Sequence, residues 1–195
     1  MSGSERLPPL DPDALTEAQR RAADELIAGP RGGVIGPFVP LLRSPELMVH
    51  AQRMGEYLRY RSAIGTRLSE LVILLIARFW SQHVEWAIHV PIATKVGIPT
   101  DTINAIAAGG RPTRLTDDET LVYDFCLELN VNQDISDATF DRALARFGEH
   151  GVIDLLGING YYTFLAMVMN GVRTAPAEAT GTPLLPLPPR TWFAA

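Results

Sequence analysis

Apolar residues return every three or four positions along most of this chain, and capping residues, glycines and prolines punctuate them. Leu15 to Gly29 opens on Thr16, keeps its charges to one side and closes on glycine, which predicts a short amphipathic helix. Gly29 to Pro45 holds too much Gly and Pro for a regular helix. Its Val34, Ile35, Phe38, Val39, Leu41 and Leu42 still predict that it packs down on a core. Ser44-Pro45-Glu46 supplies an N-cap followed by proline at the first helical position, and that helix is expected to end near Gly65. Thr66 to Gly97 is the longest helical stretch, with a break expected near Trp80-Ser81. The next helix takes Thr100 or Asp101 as its cap and closes at Gly109-Gly110. Thr116 with Glu119 forms a capping box, and Ser136 caps the segment "SDATFDRALARFG", which "EHGVIDLLGINGYYTFLAMVMNGV" follows.

Period-two alternation with hairpin turn signals is missing throughout. The prediction is an all-α fold, a compact single-domain helical bundle. Residues 1–13 read as a loose arm, 14–175 as one helical domain, and 176–195 as an extended proline-rich tail.

Composition narrows the function classes. The 195 residues suit one core, and 47% hydrophobic with 20% charged residues is ordinary for a soluble globular protein. A net charge of -5 without a long basic run excludes nucleic acid and an anionic membrane as expected partners. The apolar run "LVILLIARFW" is interrupted by Arg78 and too short to span a bilayer. Val152 to Val172 is longer, but Asp154, Asn159 and Asn170 would each need a partner inside lipid, so a buried helix is expected. The polar, proline-rich start has no signal-peptide core, and a cytoplasmic location is expected. Cys126 is the only cysteine, which rules out an intrachain disulfide or a CxxC redox pair; it reads as a packed helical side chain.

The stretch "SQHVEWAIHVPIA", Ser81 to Ala93, breaks the apolar pattern by setting ionisable groups directly after the most hydrophobic run. Gln82, Glu85 and His89 share one helical face, and Glu70, Arg78 and Ser81 join it, within an arc of roughly 120°, if the helix is unbroken from Glu70. Two readings follow. An exposed Glu–His pair one turn apart is a helical ion pair of a few tenths of a kcal/mol. A desolvated couple is a proton-transfer device near neutral pH, because burial raises a carboxylate's pKa and a neighbouring imidazolium lowers it. A metal would find only two ligands, Glu85 and His89, at a spacing of four and with no second copy of the motif, so no metal and no cofactor are expected. His83 faces elsewhere, and His50 and His150 read as surface or packing residues.

Glu70, Gln82 twelve residues on, then Glu85, Trp86 and His89 resemble the motif of the carboxymuconolactone decarboxylase family. That all-helical family includes the alkylhydroperoxidase D-type enzymes, whose peroxidase branch carries cysteines at the positions of Gln82 and Glu85. The version here, Glu85-Trp86-Ala87-Ile88-His89 followed by "VPIA", looks like the decarboxylase branch. "GPFVPLLRSPEL", "GEYLRY" and "GYYTFLAMVMNGVRT" extend the likeness over about residues 30 to 175. Thiol peroxidase chemistry needs a thiolate and a resolving thiol, which glutamine and glutamate cannot supply.

The resemblance implies a cofactor-free lyase of aromatic-compound catabolism that removes carbon dioxide from a small carboxylated lactone such as 4-carboxymuconolactone. It makes Glu70, Glu85 and His89 the catalytic groups and Arg78, Ser81, Gln82 and Trp86 the substrate-binding ones. It also implies a homo-oligomer, a trimer or hexamer, in which Tyr161, Tyr162 or the arm from Arg31 to Arg43 completes a neighbour's site. A ligand-binding or assembly member with little catalysis, and a proton-transfer isomerase of a specialised pathway, remain alternatives.

Overall fold

The structure is a computed structural model and describes residues 4–175 together with Pro183 and Leu184. Eight α-helices and no strand occur among the described residues: α1 (Glu17–Ala28), α2 (Phe38–Leu41), α3 (Pro45–Tyr60), α4 (Thr66–Phe79), α5 (His83–Lys95), α6 (Thr100–Ala107), α7 (Asp117–Asn132) and α8 (Asp137–Val172). The all-α expectation holds.

Helix α4 is the hub because it is apolar on nearly every side, and such a helix must be covered all round. Leu71, Val72, Ile73, Leu74, Ile76 and Ala77 are fully buried, and α4 packs against α3, α5, α6, α7 and α8. Local signals set most boundaries. Thr16 with Gln19 and Thr116 with Glu119 form capping boxes, and the Ser136 hydroxyl accepts from the Thr139 amide. Glu119 also accepts from Arg67 at 2.7 Å, which fastens the start of α7 to the first turn of α4.

Helix α3 starts where expected but ends early, for a tertiary reason. Ser44 precedes α3, but its side chain makes no cap bond. Helix α3 stops at Tyr60, not near Gly65, because the buried Asp154 of α8 takes the following loop for itself. Its carboxylate accepts from the Ala63 amide at 2.7 Å and the Tyr57 hydroxyl at 2.9 Å. Helix α8 runs through Gly148, whose φ of 65° and ψ of 175° kink it into the two segments that the sequence punctuates.

The described part of the N-terminal arm touches the end of α8 through Arg6. Arg6 donates from its amide to the Val172 carbonyl at 2.8 Å and from its guanidinium to the Gly171 carbonyl at 2.9 Å. These carbonyls end α8 and have no intrahelical partner, so the arm supplies one. Of the tail, only Pro183 and the buried Leu184 are described; the rest of the expected extended segment lies outside the described residues.

Among the described residues α8 alone is long and apolar enough to cross a membrane. Its polar groups have protein partners, however: Asp154 as above, and Asn159, which donates to the Leu155 carbonyl and accepts from Asn130 at 3.0 Å. These are the marks of a core helix.

Asp154→Ala should lower the unfolding free energy in urea by about 2 kcal/mol, because the Ala63 amide and the Tyr57 hydroxyl lose their buried acceptor. Tyr57→Phe should cost about half as much, and equal stability of Asp154→Ala and the parent would refute this account of the α3 boundary.

Candidate active site

Glu70 comes from α4, and Glu85 and His89 come from α5. One continuous helix would hold residues 70 and 89 about 28 Å apart. The joint between the helices removes that distance. Ser81 adopts a left-handed φ of 49°, and the chain folds back so that α5 packs along α4. The single-arc picture of the sequence therefore fails, while the three residues it singled out meet in space.

His89 lies between two carboxylates. Its Nδ1 stands 2.6 Å from Glu70 Oε2, and its Nε2 stands 3.1 Å from Glu85 Oε1. All three side chains are buried, with Glu70 at 0% exposure. Only the imidazolium donates from both ring nitrogens at once. Burial opposes that charge, but the Glu70 carboxylate, with Glu85 behind it, outweighs burial and raises the His89 pKa above its ordinary value. Arg59 Nε approaches Glu70 Oε1 at 3.8 Å. Among the described residues Glu70 Oε1 and Glu85 Oε2 find no hydrogen-bond partner, although both are buried. The Tyr162 ring meets the imidazole edge-on, with centroids 5.4 Å apart, and burial pushes its hydroxyl far above the usual phenol range. Both imidazole nitrogens face carboxylates, so a metal would have to displace one of them.

Glu85 and His89 form one wall of a partly open cavity of about 230 Å³. Phe38, Ile88 and Leu165 give it apolar sides, and Arg31 and Arg59 give it cations. The loop that carries Arg31 reaches α5 through Gly36, where φ is 55° and an added Cβ would lie 3.2 Å from Ile88 Cδ1. Arg31 rests over the Phe38 ring at 4.7 Å and reaches the Tyr161 hydroxyl at 3.5 Å, while its buried Nε has no hydrogen-bond partner among the described residues. Gly55 on α3 makes this fit possible. A Cβ there would stand 2.1 Å from the Tyr161 hydroxyl and 2.5 Å from Arg31 Nη2.

Of the residues expected to act, Glu70, Glu85 and His89 assemble, but the expected substrate-binding set does not line this cavity. Arg78 is buried and donates to the Ala107 carbonyl at 3.3 Å, which ties α4 to the end of α6. Ser81 is exposed at the joint, and Trp86 is in the hydrophobic core. Gln82 is the N-cap of α5, and its side-chain oxygen accepts from the Val84 amide at 2.6 Å. Arg31 and Arg59 stand where Arg78 was expected, and both line the cavity of their own chain. Arg31 sits in "GPRGG" and Arg59 in "YLRYRS", contexts with no chemical signature of their own.

A solved structure from Agrobacterium tumefaciens matches with a TM-score of 0.63 and 15% identity, over 70% of this chain and 94% of that one. The fold is AhpD-like. That neighbour is described as a protein of unknown function and a candidate antioxidant defence protein AhpD. At this identity the likeness speaks for the fold alone. No protein-family model matches the chain, and no curated protein matches it in sequence. The AhpD-like fold here carries one cysteine in the whole sequence. Cys126 is buried in α7, accepts a hydrogen bond from Asn159 at 3.4 Å, and has its thiol pushed up to about 12 by burial.

The raised pKa of His89 fixes the sign of a pH effect. Its contribution to stability is complete below the unfolded value of about 6.5 and is lost as pH rises through the higher folded value. Urea unfolding should show the parent losing more stability over that window than His89→Gln. Equally steep profiles would remove His89 as the titrating group.

Proposed function

We propose that this chain is a cofactor-free acid–base enzyme of the carboxy-lyase type, acting on a small carboxylated lactone or a related acid. The observation that carries this reading is the buried Glu70–His89–Glu85 relay on the wall of a cavity that also holds two arginines. A solvated ion pair without a cavity would favour a binding or structural role. A desolvated couple beside an apolar cavity favours catalysis.

Loss of the substrate carboxylate as carbon dioxide leaves its electron pair in the unsaturated lactone as a dienolate. That carbanion equivalent takes a proton at carbon. Glu85 and His89 line the cavity and are placed to give it, while Glu70, behind the imidazole, holds His89 in orientation and shares its charge. Arg31 and Arg59 take the anchoring role first expected of Arg78. They would best hold a carboxylate that stays on the product or the lactone oxygen, since a grip on the departing group would oppose its loss. Thiol peroxidase chemistry is not supported, because the single cysteine is a buried, high-pKa thiol. The homo-oligomer implied by the resemblance would suit the exposed Ile153 and Met167 of α8.

A panel of carboxylated lactones in deuterated water, followed for carbon dioxide release and carbon-bound deuterium, tests the reading. His89→Ala and Glu85→Gln should each lower kcat about 10²- to 10⁴-fold with unchanged helical circular dichroism. Arg31→Ala should raise KM more than it lowers kcat. Full turnover in Glu85→Gln or His89→Ala would sink the acid–base assignment, and deuterium exchange without carbon dioxide would move the case to a proton-transfer isomerase.

A further inference from the structure

The relay depends on how α5 is set against α4, and a single side chain outside the relay bonds to both ends of their joint. We infer that Asn170 of α8 is a positioning residue for the Glu70–His89–Glu85 relay, acting through the amide of Gln82. Asn170 Nδ2 donates to the Trp80 carbonyl at 3.0 Å, just past the end of α4. Asn170 Oδ1 accepts from Gln82 Nε2 at 2.8 Å. An amide held by its nitrogen has its oxygen fixed as well. The Gln82 oxygen faces the first turn of α5 and accepts from Val84 N at 2.6 Å and from Glu85 N at 3.4 Å.

Three features make this joint sensitive. Ser81 is a non-glycine residue in the left-handed region, so its conformation must be held by its surroundings. Glutamine is not among the favoured N-cap residues, and its longer side chain needs a second partner to stay in place. Helix α8 also meets the joint two turns earlier, where Trp80 Nε1 donates to Thr163 at 3.3 Å. Freed from Asn170, Gln82 would release the α5 first turn, and with it the backbone of Glu85, while Glu70 stays fixed on α4.

This inference deepens the acid–base reading and rests on it for its catalytic meaning, but its main readout needs no substrate. Asn170 is exposed, so its variants should fold. The His89 ring would be titrated by imidazole-labelled NMR in the full chain, with Asn170→Leu and Asn170→Asp beside the parent. Asn170→Asp keeps the acceptor for Gln82 and loses the donor to Trp80. Asn170→Leu loses both. The expected result is a lowered His89 pKa in Asn170→Leu, as the carboxylates draw away and burial prevails, with an unchanged value in Asn170→Asp. With a substrate in hand, kcat in Asn170→Leu should fall about 10- to 100-fold at nearly constant KM. A parent-like His89 titration in Asn170→Leu, whatever its melting temperature, would overturn the proposal. An equal shift in Asn170→Asp would overturn the route through Gln82. Absence of turnover in the parent on every lactone would count against the functional reading and leave the titration result standing.

Discussion

The hydrogen bond between His89 and Glu70 is the constraint on which the rest of the molecule depends. It joins two helices that are adjacent in sequence but antiparallel in space, and its 2.6 Å length tolerates little sliding between them. The joint at Ser81, the core around α4 and the grip of α8 on the joint all serve that one registration. Moving α5 by one residue would turn His89 about 100° away from Glu70 and break the relay.

Such a cluster is a poor way to stabilise a fold. Two carboxylates and an imidazolium taken out of water lose hydration that their mutual attraction only partly restores. Among the described residues, one oxygen of Glu70 and one of Glu85 find no hydrogen-bond partner. A stability-driven core would fill this place with leucine. The local deficit is carried by the apolar remainder of α4 and its neighbours, and the unsatisfied oxygen of Glu85 belongs to a residue that a small molecule can reach. Polarity kept at some cost beside a cavity is what the proposed acid–base role would require.

Much of this was legible in the sequence because it was local. Thr16, Thr116 and Ser136 announced their helices through residues within one turn, and the break near Trp80-Ser81 followed from the change of pattern there. Glu70, Glu85 and His89 stood out as ionisable groups among apolar ones. What stayed hidden was set by distant partners. Asp154 captures a loop some 91 residues away and ends α3 early, which no window around Tyr60 contains. Arg78 looked like an anchor because a straight helix would have put it on the polar arc, whereas the fold-back sends it to α6. Arg31 and Arg59 became cavity residues only once the glycine-rich loop and the end of α3 were laid over α5.

The company kept by Arg31 has a consequence for how a ligand would bind. Its guanidinium rests on a phenylalanine ring and beside a neutral tyrosine hydroxyl, and Gly55 leaves the notch that admits it. Among the described residues its partners are this ring and this hydroxyl, and neither is a carboxylate. Among the described residues, an arriving anion therefore need not first break a salt bridge to reach this guanidinium. The missing methyl group of one glycine thus keeps a positive charge both rigid and available.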